Sequence, residues 1–254
     1  MEPSRDLTDA LGNALLSTIQ ASELSPLKTY VAARREVLGT AEAVASELYE
    51  GRWGPTGIPI YNVVLPFFVL SPGNKQHLLD LTRYLALELR VPVDGTDVTG
   101  ASALYWAIAT KPHAEPEFAQ LLFDAGGSVN QRNRFGATAA AEIAQVDFSG
   151  DVQRNERMLA WYIEHGGDVD GKDNDGMTVR MLVEMMRGKV PGMADVLAKG
   201  RGPRGEGDCA NCGRRKSEEK AFAACAKCKS VRYCSQDCQK VDWRTHKKSC
   251  KAKS

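Results

Sequence analysis

All seven cysteines of the 254-residue chain lie at or beyond position 209, in the order C-x2-C-x12-C-x2-C-x5-C-x3-C-x7-H-x3-C. Cys209, Cys212, Cys225, Cys228, Cys234, Cys238, His246 and Cys250 supply eight thiolate or imidazole donors, enough for two sets of four. Four such donors complete the tetrahedral shell of a structural zinc ion. A disulfide framework is the competing chemistry. The odd number of cysteines, the histidine within the run and the lack of an apolar leader after Met1 favour metal instead. Two zinc ions are therefore expected, both structural, since protein donors fill every position and catalytic zinc needs an open one. A segment as short as 209–250 cannot bury an adequate apolar core. Metal must supply its folding free energy, roughly 10–16 kcal/mol per site by analogy with zinc peptides.

The residues between the donors carry a family resemblance. CAKCKSVRYCSQDCQKVDWRTHKKSC contains Tyr233–Cys234, Gln239 directly after the sixth donor, and Trp243 three residues before His246. The run resembles a MYND-type zinc finger. Spacing alone is compatible with consecutive or interleaved sites; the resemblance implies interleaving, with Cys209, Cys212, Cys234 and Cys238 on one ion. Cys225, Cys228, His246 and Cys250 would then hold the other. The resemblance also implies a peptide-binding role for Gln239 and Trp243, lining a shallow groove for a proline-containing, PxLxP-like segment. Four residues apart on a predicted helix after Ser235, they share one face, which Lys247 extends. A flat aromatic suits a preformed extended proline ligand. The alternative is that Trp243 packs against the zinc core and binds nothing; Tyr233 is assigned to packing.

Composition places few limits on the rest. Apolar side chains make up 43% and charged ones 26%, as in an ordinary soluble chain. The longest apolar run, Ile58 to Leu70, contains Pro59, Asn62 and Pro66. It is too short to cross a bilayer and reads as a buried segment. No membrane association is expected, and the compartment should be reducing: intracellular, cytoplasmic or nuclear. The formal net charge of +1 hides an asymmetry. Residues 1–200 hold 18 Lys and Arg against 26 Asp and Glu, whereas residues 201–254 hold 15 against 6. Seven thiolates and two zinc ions leave that end near +6. Its basic residues are scattered among the cysteines, with short runs at Arg214-Arg215-Lys216 and Lys247-Lys248. That pattern suits contact with acidic proteins better than a nucleic-acid stripe.

Ahead of the cysteines the sequence repeats. LFDAGGSVNQRNRFGATAAAEIA from Leu122 and YIEHGGDVDGKDNDGMTVRMLV from Tyr162 align at an offset of 40 residues, matching Gly126-Gly127 with Gly166-Gly167 and Gly136 with Gly176. LALELRVPVDGTDVTGASALYWAIA aligns 36 residues earlier, Val93 with Val129 and Gly100 with Gly136. A period near this length indicates stacked units that cannot bury their faces alone. Gly100 to Tyr105 and Gly136 to Thr138 resemble the G-x-T-P-L-H segment of ankyrin repeats, though the Pro-Leu-His core is missing and the periods are long. Four divergent units are expected over 57–200, with excess length in the polar stretches Lys111–Glu117 and Asp147–Glu156. Residues 7–50 carry helix patterns, with Ser25-Pro26 as a start signal and Gly51 after the last segment.

The other polar residues suggest no catalysis. His77, His113 and His165 lack a partner set resembling a triad. Asp168, Asp170, Asp173 and Asp175 alternate like a calcium loop but lack its sixth-position glycine and twelfth-position glutamate, and read as the repeat's own turn. The fold class expected is mainly α: a helical N-terminal cap (1–56), an ankyrin-like helical repeat stack (57–200), a linker (201–208), a small two-zinc MYND-type finger (209–250) and a tail (251–254). RGPRGEGD, the linker, has the composition of a flexible joint. The function expected is a non-enzymatic adaptor, the stack binding one protein and the finger a proline-containing peptide. A transcription-related factor whose basic finger contacts nucleic acid is the alternative.

Overall fold

The structure, a computed structural model, describes residues 9–109, 114–145, 151–215 and 221–251. His113, Lys216, residues 252–254 and parts of the stretches 111–117 and 147–156 lie outside that description. The chain divides into two compact units, Met1–Phe135 and Gly136–Ser254. No helix among the described residues is long and apolar enough to cross a membrane.

The first unit opens with three helices, α1 (Ala10–Ala21), α2 (Ser25–Leu38) and α3 (Ala41–Glu50). Their starts are set locally. Asp9 accepts from the Gly12 N–H at 2.6 Å, Thr40 accepts from the Ala43 N–H at 3.1 Å, and Pro26 sits in the first turn of α2. The two caps satisfy N–H groups that a helix start leaves without partners, and Pro26 removes one by having none. Leu11, Leu15, Ile19, Leu27, Val44 and Leu48 are almost wholly buried, each removal from water contributing about 1.5–3 kcal/mol.

Trp53, fully buried, follows in a tight two-strand bridge with Ile58. The apolar run then forms two short helices, α4 (Ile60–Val64) and α5 (Phe67–Leu70), broken at Pro66. Ile60, Tyr61, Val64, Leu65 and Phe68 are buried as the sequence suggests, but Val69 and Leu70 are exposed at the end of α5. Helix α6 (Lys75–Arg83) continues into a wide turn over Tyr84–Glu88. Next come α7 (Ala103–Ile108) and α8 (Pro116–Asp124), which pack on each other, α7 also against α4 and α8 against α6.

The second unit holds two more pairs: α9 (Ala139–Ala144) with α10 (Val152–Glu164), and α11 (Val179–Met186) with α12 (Pro191–Lys199). Here α9 packs against α11 and α10 against α12, so first helices meet first helices and second meet second. The described structure is thus mainly helical, with helix pairs recurring at the sequence period.

The turn that precedes each first helix shows why the period is legible. Asp97 Oδ1 accepts from the Thr99 and Ala101 N–H groups at 2.8 and 3.3 Å. Asn133 Oδ1 accepts from the Phe135 N–H at 3.0 Å, and Asp173 Oδ1 from the Asp175 and Met177 N–H groups at 3.0 and 2.8 Å. A short side-chain carbonyl or carboxylate is closing the same turn each time. The glycine three residues on (Gly100, Gly136, Gly176) has φ of +77°, +75° and +79°, a region costly for other residues. Asp173 Oδ1 is thus engaged by the turn itself.

Asp97 has the most to lose, because its Oδ2 also accepts from Trp106 Nε1 at 2.8 Å. Asp97→Ala should lower stability by about 2–3 kcal/mol, from several lost hydrogen bonds of about 0.5–1.5 kcal/mol each. Asp97→Asn, which keeps one acceptor for the turn, should recover more than half. Urea unfolding midpoints measure both.

Candidate metal centre

Four local devices position the eight donors. The first is a turn at 209–213, where the Gly213 N–H bonds Cys209 O and the Cys209 N–H bonds Arg214 O, both at 2.9 Å. Second comes an antiparallel pair, β1 (Ala223–Ala224) and β2 (Arg232–Tyr233), with Ala223 opposite Tyr233. The third is the turn it encloses: the Cys225 N–H bonds Val231 O at 2.9 Å, and Lys229 takes φ +58°. Last is α13 (Gln236–His246), capped by Ser235, which accepts from the Cys238 N–H at 3.2 Å.

These devices gather the donors into two groups. Cys209 and Cys212 come from the first turn, Cys234 from the end of β2 and Cys238 from the first turn of α13; Cys225 and Cys228 meet His246 and Cys250. Within each group the ligand atoms lie within 4.8 Å of one another. Cys212 Sγ and Cys238 Sγ each lie 3.5 Å from Cys234 Sγ, Cys225 Sγ lies 3.9 Å from Cys250 Sγ, and Cys228 Sγ lies 3.4 Å from His246 Nε2. A zinc tetrahedron with bonds of about 2.3 Å has edges of roughly 3.8 Å, so the separations fit. They are far beyond a disulfide bond of about 2.05 Å, and all seven thiols are free. The groups are interleaved in sequence, the arrangement the resemblance implies.

Electrostatics divide the thiols: Cys209, Cys225, Cys228 and Cys234 are shifted toward the thiolate, whereas Cys212, Cys238 and Cys250 are pushed up. The Ser230 hydroxyl, 3.1 Å from Cys228 Sγ, holds that thiol down at about 6. Cys209 is held far below the usual thiol range by its three neighbouring cysteines, while Cys212 is pushed up by the same crowding. Such opposed shifts mark a cluster that cannot carry four thiolates by itself and is relieved by a dication. Two zinc ions fit these sites, one held by four cysteines and the other by three cysteines and a histidine. All four tetrahedral positions of each are filled by protein.

Sequence reasoning reached the donors but not what surrounds them. Tyr233 is buried, and its hydroxyl donates to Asp242 Oδ2 at 2.6 Å. The other oxygen of Asp242 pairs with Arg201, whose guanidinium also reaches Asn211 Oδ1. Asn211, between Cys209 and Cys212, is fully buried. Nothing in spacing singles out Arg201, Asn211 or Asp242. Gln239 is half-buried and Trp243 is 41% exposed, its ring 5.9 Å from that of His246. The other two described histidines belong to neither donor group: His77 Nε2 lies 2.9 Å from Thr18 O, and His165 stacks on Trp161 at 4.0 Å.

Comparison with known proteins agrees with this geometry. Residues 209–250 match the family model described as the MYND finger. The chain is 47% identical over 57 residues to the zinc finger MYND domain-containing protein 10 homolog of Drosophila melanogaster, covering 21% of this chain and 12% of that protein. It is 49% identical over 45 residues to the SET domain and MYND-type zinc finger protein 6 of Schizosaccharomyces pombe, 17% of this chain and 8% of the relative. An 86-residue match at 35% identity to potassium channel AKT1 of Oryza sativa subsp. indica covers 34% of this chain and 8% of the channel. The chain thus spans about a tenth of the length of the curated relatives it matches. Residues 209–250 are a MYND finger that binds two zinc ions.

The purified protein should contain about two zinc per chain by elemental analysis. Cys→Ser at any of the seven cysteines should lower that content and disorder the finger, since each site contributes roughly 10–16 kcal/mol to folding. Metal-free protein that keeps a folded finger would overturn the assignment.

Proposed function

We propose that this chain is a non-catalytic adaptor whose MYND finger takes a proline-containing extended peptide and whose helix pairs take a second protein. The observation that carries the reading is the setting of Trp243. Helix α13 is held at both ends, Cys238 contributing to one zinc site and His246 to the other. Between them Trp243 is 41% exposed, on the same face as Gln239. Val241, Arg244 and Thr245, on the opposite side of the helix, line a cleft toward Val169 and Leu197. An aromatic ring kept open on a rigid helix, beside a polar amide, has the chemistry for a proline-rich strand. Contact with His246 gives the ring a packing share as well.

Other features support the remaining parts. Helix pairs recurring at 36 and 40 residues, with like helices packed on like in the second unit, suit an ankyrin-like array, and such arrays bind proteins. Closed four-donor sites provide zinc with no place for a substrate. Nucleic acid is the second reading, and charge pairing argues against it. Arg201, Arg204 and Arg244 are engaged with Asp242, Glu164 and Asp168, so part of the basic end is already neutralised within the chain.

Trp243→Ala should weaken a PxLxP-like peptide by about 2 kcal/mol or more, as for an interface anchor. Zinc content should stay at two per chain, and Gln239→Ala should cost less. Calorimetric titration measures these effects, and undiminished binding by a folded Trp243→Ala protein would refute the groove. Affinity should also change little between low and moderate salt; a steep linear fall would identify a phosphate-driven complex instead.

A further inference from the structure

The segment 201–208, whose composition reads as a flexible joint, is engaged with structured residues on both sides. Arg204 pairs with the Glu164 carboxylate and with Glu164 O at the end of α10, and the Gly202 N–H donates to Glu164 Oε2 at 2.9 Å. Toward the finger, Arg204 Nη2 donates to Asn211 O at 2.7 Å, while Arg201 reaches Asn211 Oδ1 and Asp242. Arg244 on α13 pairs with Asp168 at 2.5 Å.

A further contact involves the zinc turn itself. Asn211 Nδ2 donates to the carbonyl of Gly166, the residue just beyond the His165 cap of α10, at 3.0 Å. Gly126 and Gly166 occupy the same place in the sequence repeat, and both have positive φ, +109° and +83°. A Cβ at Gly126 would meet nothing within 4 Å. At Gly166 it would fall 2.5 Å from Asn211 Nδ2 and 2.9 Å from Cys212 Cα. Gly126 is therefore explained by backbone conformation alone, whereas Gly166 also makes room for a metal-ligand backbone. Asn211 is fully buried and its donor faces Gly166 O. Without the α10 terminus that donor loses its partner, which leaves a buried polar group unsatisfied.

We propose that the finger and the last two helix pairs form one zinc-dependent folding unit, with Asn211 and Arg201 transmitting metal loading at the Cys209/Cys212/Cys234/Cys238 site to α10–α12. Removing the metal releases the 209–213 turn, which withdraws Asn211 from Gly166 and Arg201 from Asp242. The helical residues then lose part of their support. The proposal rests on zinc binding but is independent of any peptide groove.

Hydrogen exchange on the full chain, read by mass spectrometry alongside elemental zinc analysis, tests it. On chelation, peptides covering α10, residues 165–170 and α12 should exchange at least tenfold faster, together with the finger, while α1–α3 stay protected. In zinc-loaded protein, Asn211→Ala and Arg201→Ala should each speed exchange in α10 and residues 165–170 severalfold, with zinc held at two per chain since neither residue is a ligand. Gly166→Ala should do the same and Gly126→Ala should leave that region unchanged. Unchanged exchange in α10–α12 after verified zinc loss would overturn the proposal. So would unchanged exchange in zinc-loaded Asn211→Ala and Arg201→Ala. Zinc content on each sample separates failure of the coupling from failure of metal binding.

Discussion

Two tetrahedral metal sites that share one helix are the constraint on which the C-terminal structure depends. Helix α13 supplies Cys238 to the first and His246 to the second, so its axis is set by two sets of short donor contacts. The segment has few other means of folding: Phe222 and Tyr233 are its main buried aromatic residues, and its hairpin is two residues per strand. Metal coordination stands in for the apolar core that a longer domain would bury. It also accounts for the exposure of Trp243. A helix pinned at both ends can leave a large aromatic partly in water, because its position does not depend on burying that ring.

The helical body is held together differently. Its units rest on apolar contacts between neighbouring helices and on turns closed through Asp97, Asn133 and Asp173. Buried Leu, Ile and Ala side chains do the packing. The two organisations meet at the end of α10. There, polar and charged bonds join the two: Asn211 to Gly166, Arg204 to Glu164 and Arg244 to Asp168. The partly buried Glu164 carboxylate is held below its ordinary range by the Gly202 N–H and by Arg204, as its bonding pattern requires. Exposed pairs of this kind contribute little one by one. The buried amide of Asn211 and the buried carboxylate of Asp242 matter more, since each is costly to leave without its partners.

The basic character of the last 54 residues illustrates how composition and structure answer different questions. An excess of cations next to scattered cysteines invites a nucleic-acid reading. In the folded chain, three of the arginines lie against carboxylates, two of which, Glu164 and Asp168, lie ahead of residue 201. Net charge counts groups; it does not say which are already paired.

What the sequence determined by itself is whatever depends on short spacing. Donor pairs two or three residues apart specify metal chemistry, the Gly-containing turns specify the repeat period, and Ser25-Pro26 and Gly51 mark helix limits that the structure shares. Each of these is a local geometric requirement, so its residue types recur at fixed offsets. Tertiary structure decided the grouping of donors into interleaved sites, the exposure of Trp243 on the side of α13 away from the cleft, and the bonds that engage residues 201–208. Those depend on contacts between residues far apart in the chain, such as Asn211 with Gly166 and Arg244 with Asp168. The side chains involved are ordinary polar residues with no characteristic spacing, and only the folded backbone brings their donors within reach of an acceptor.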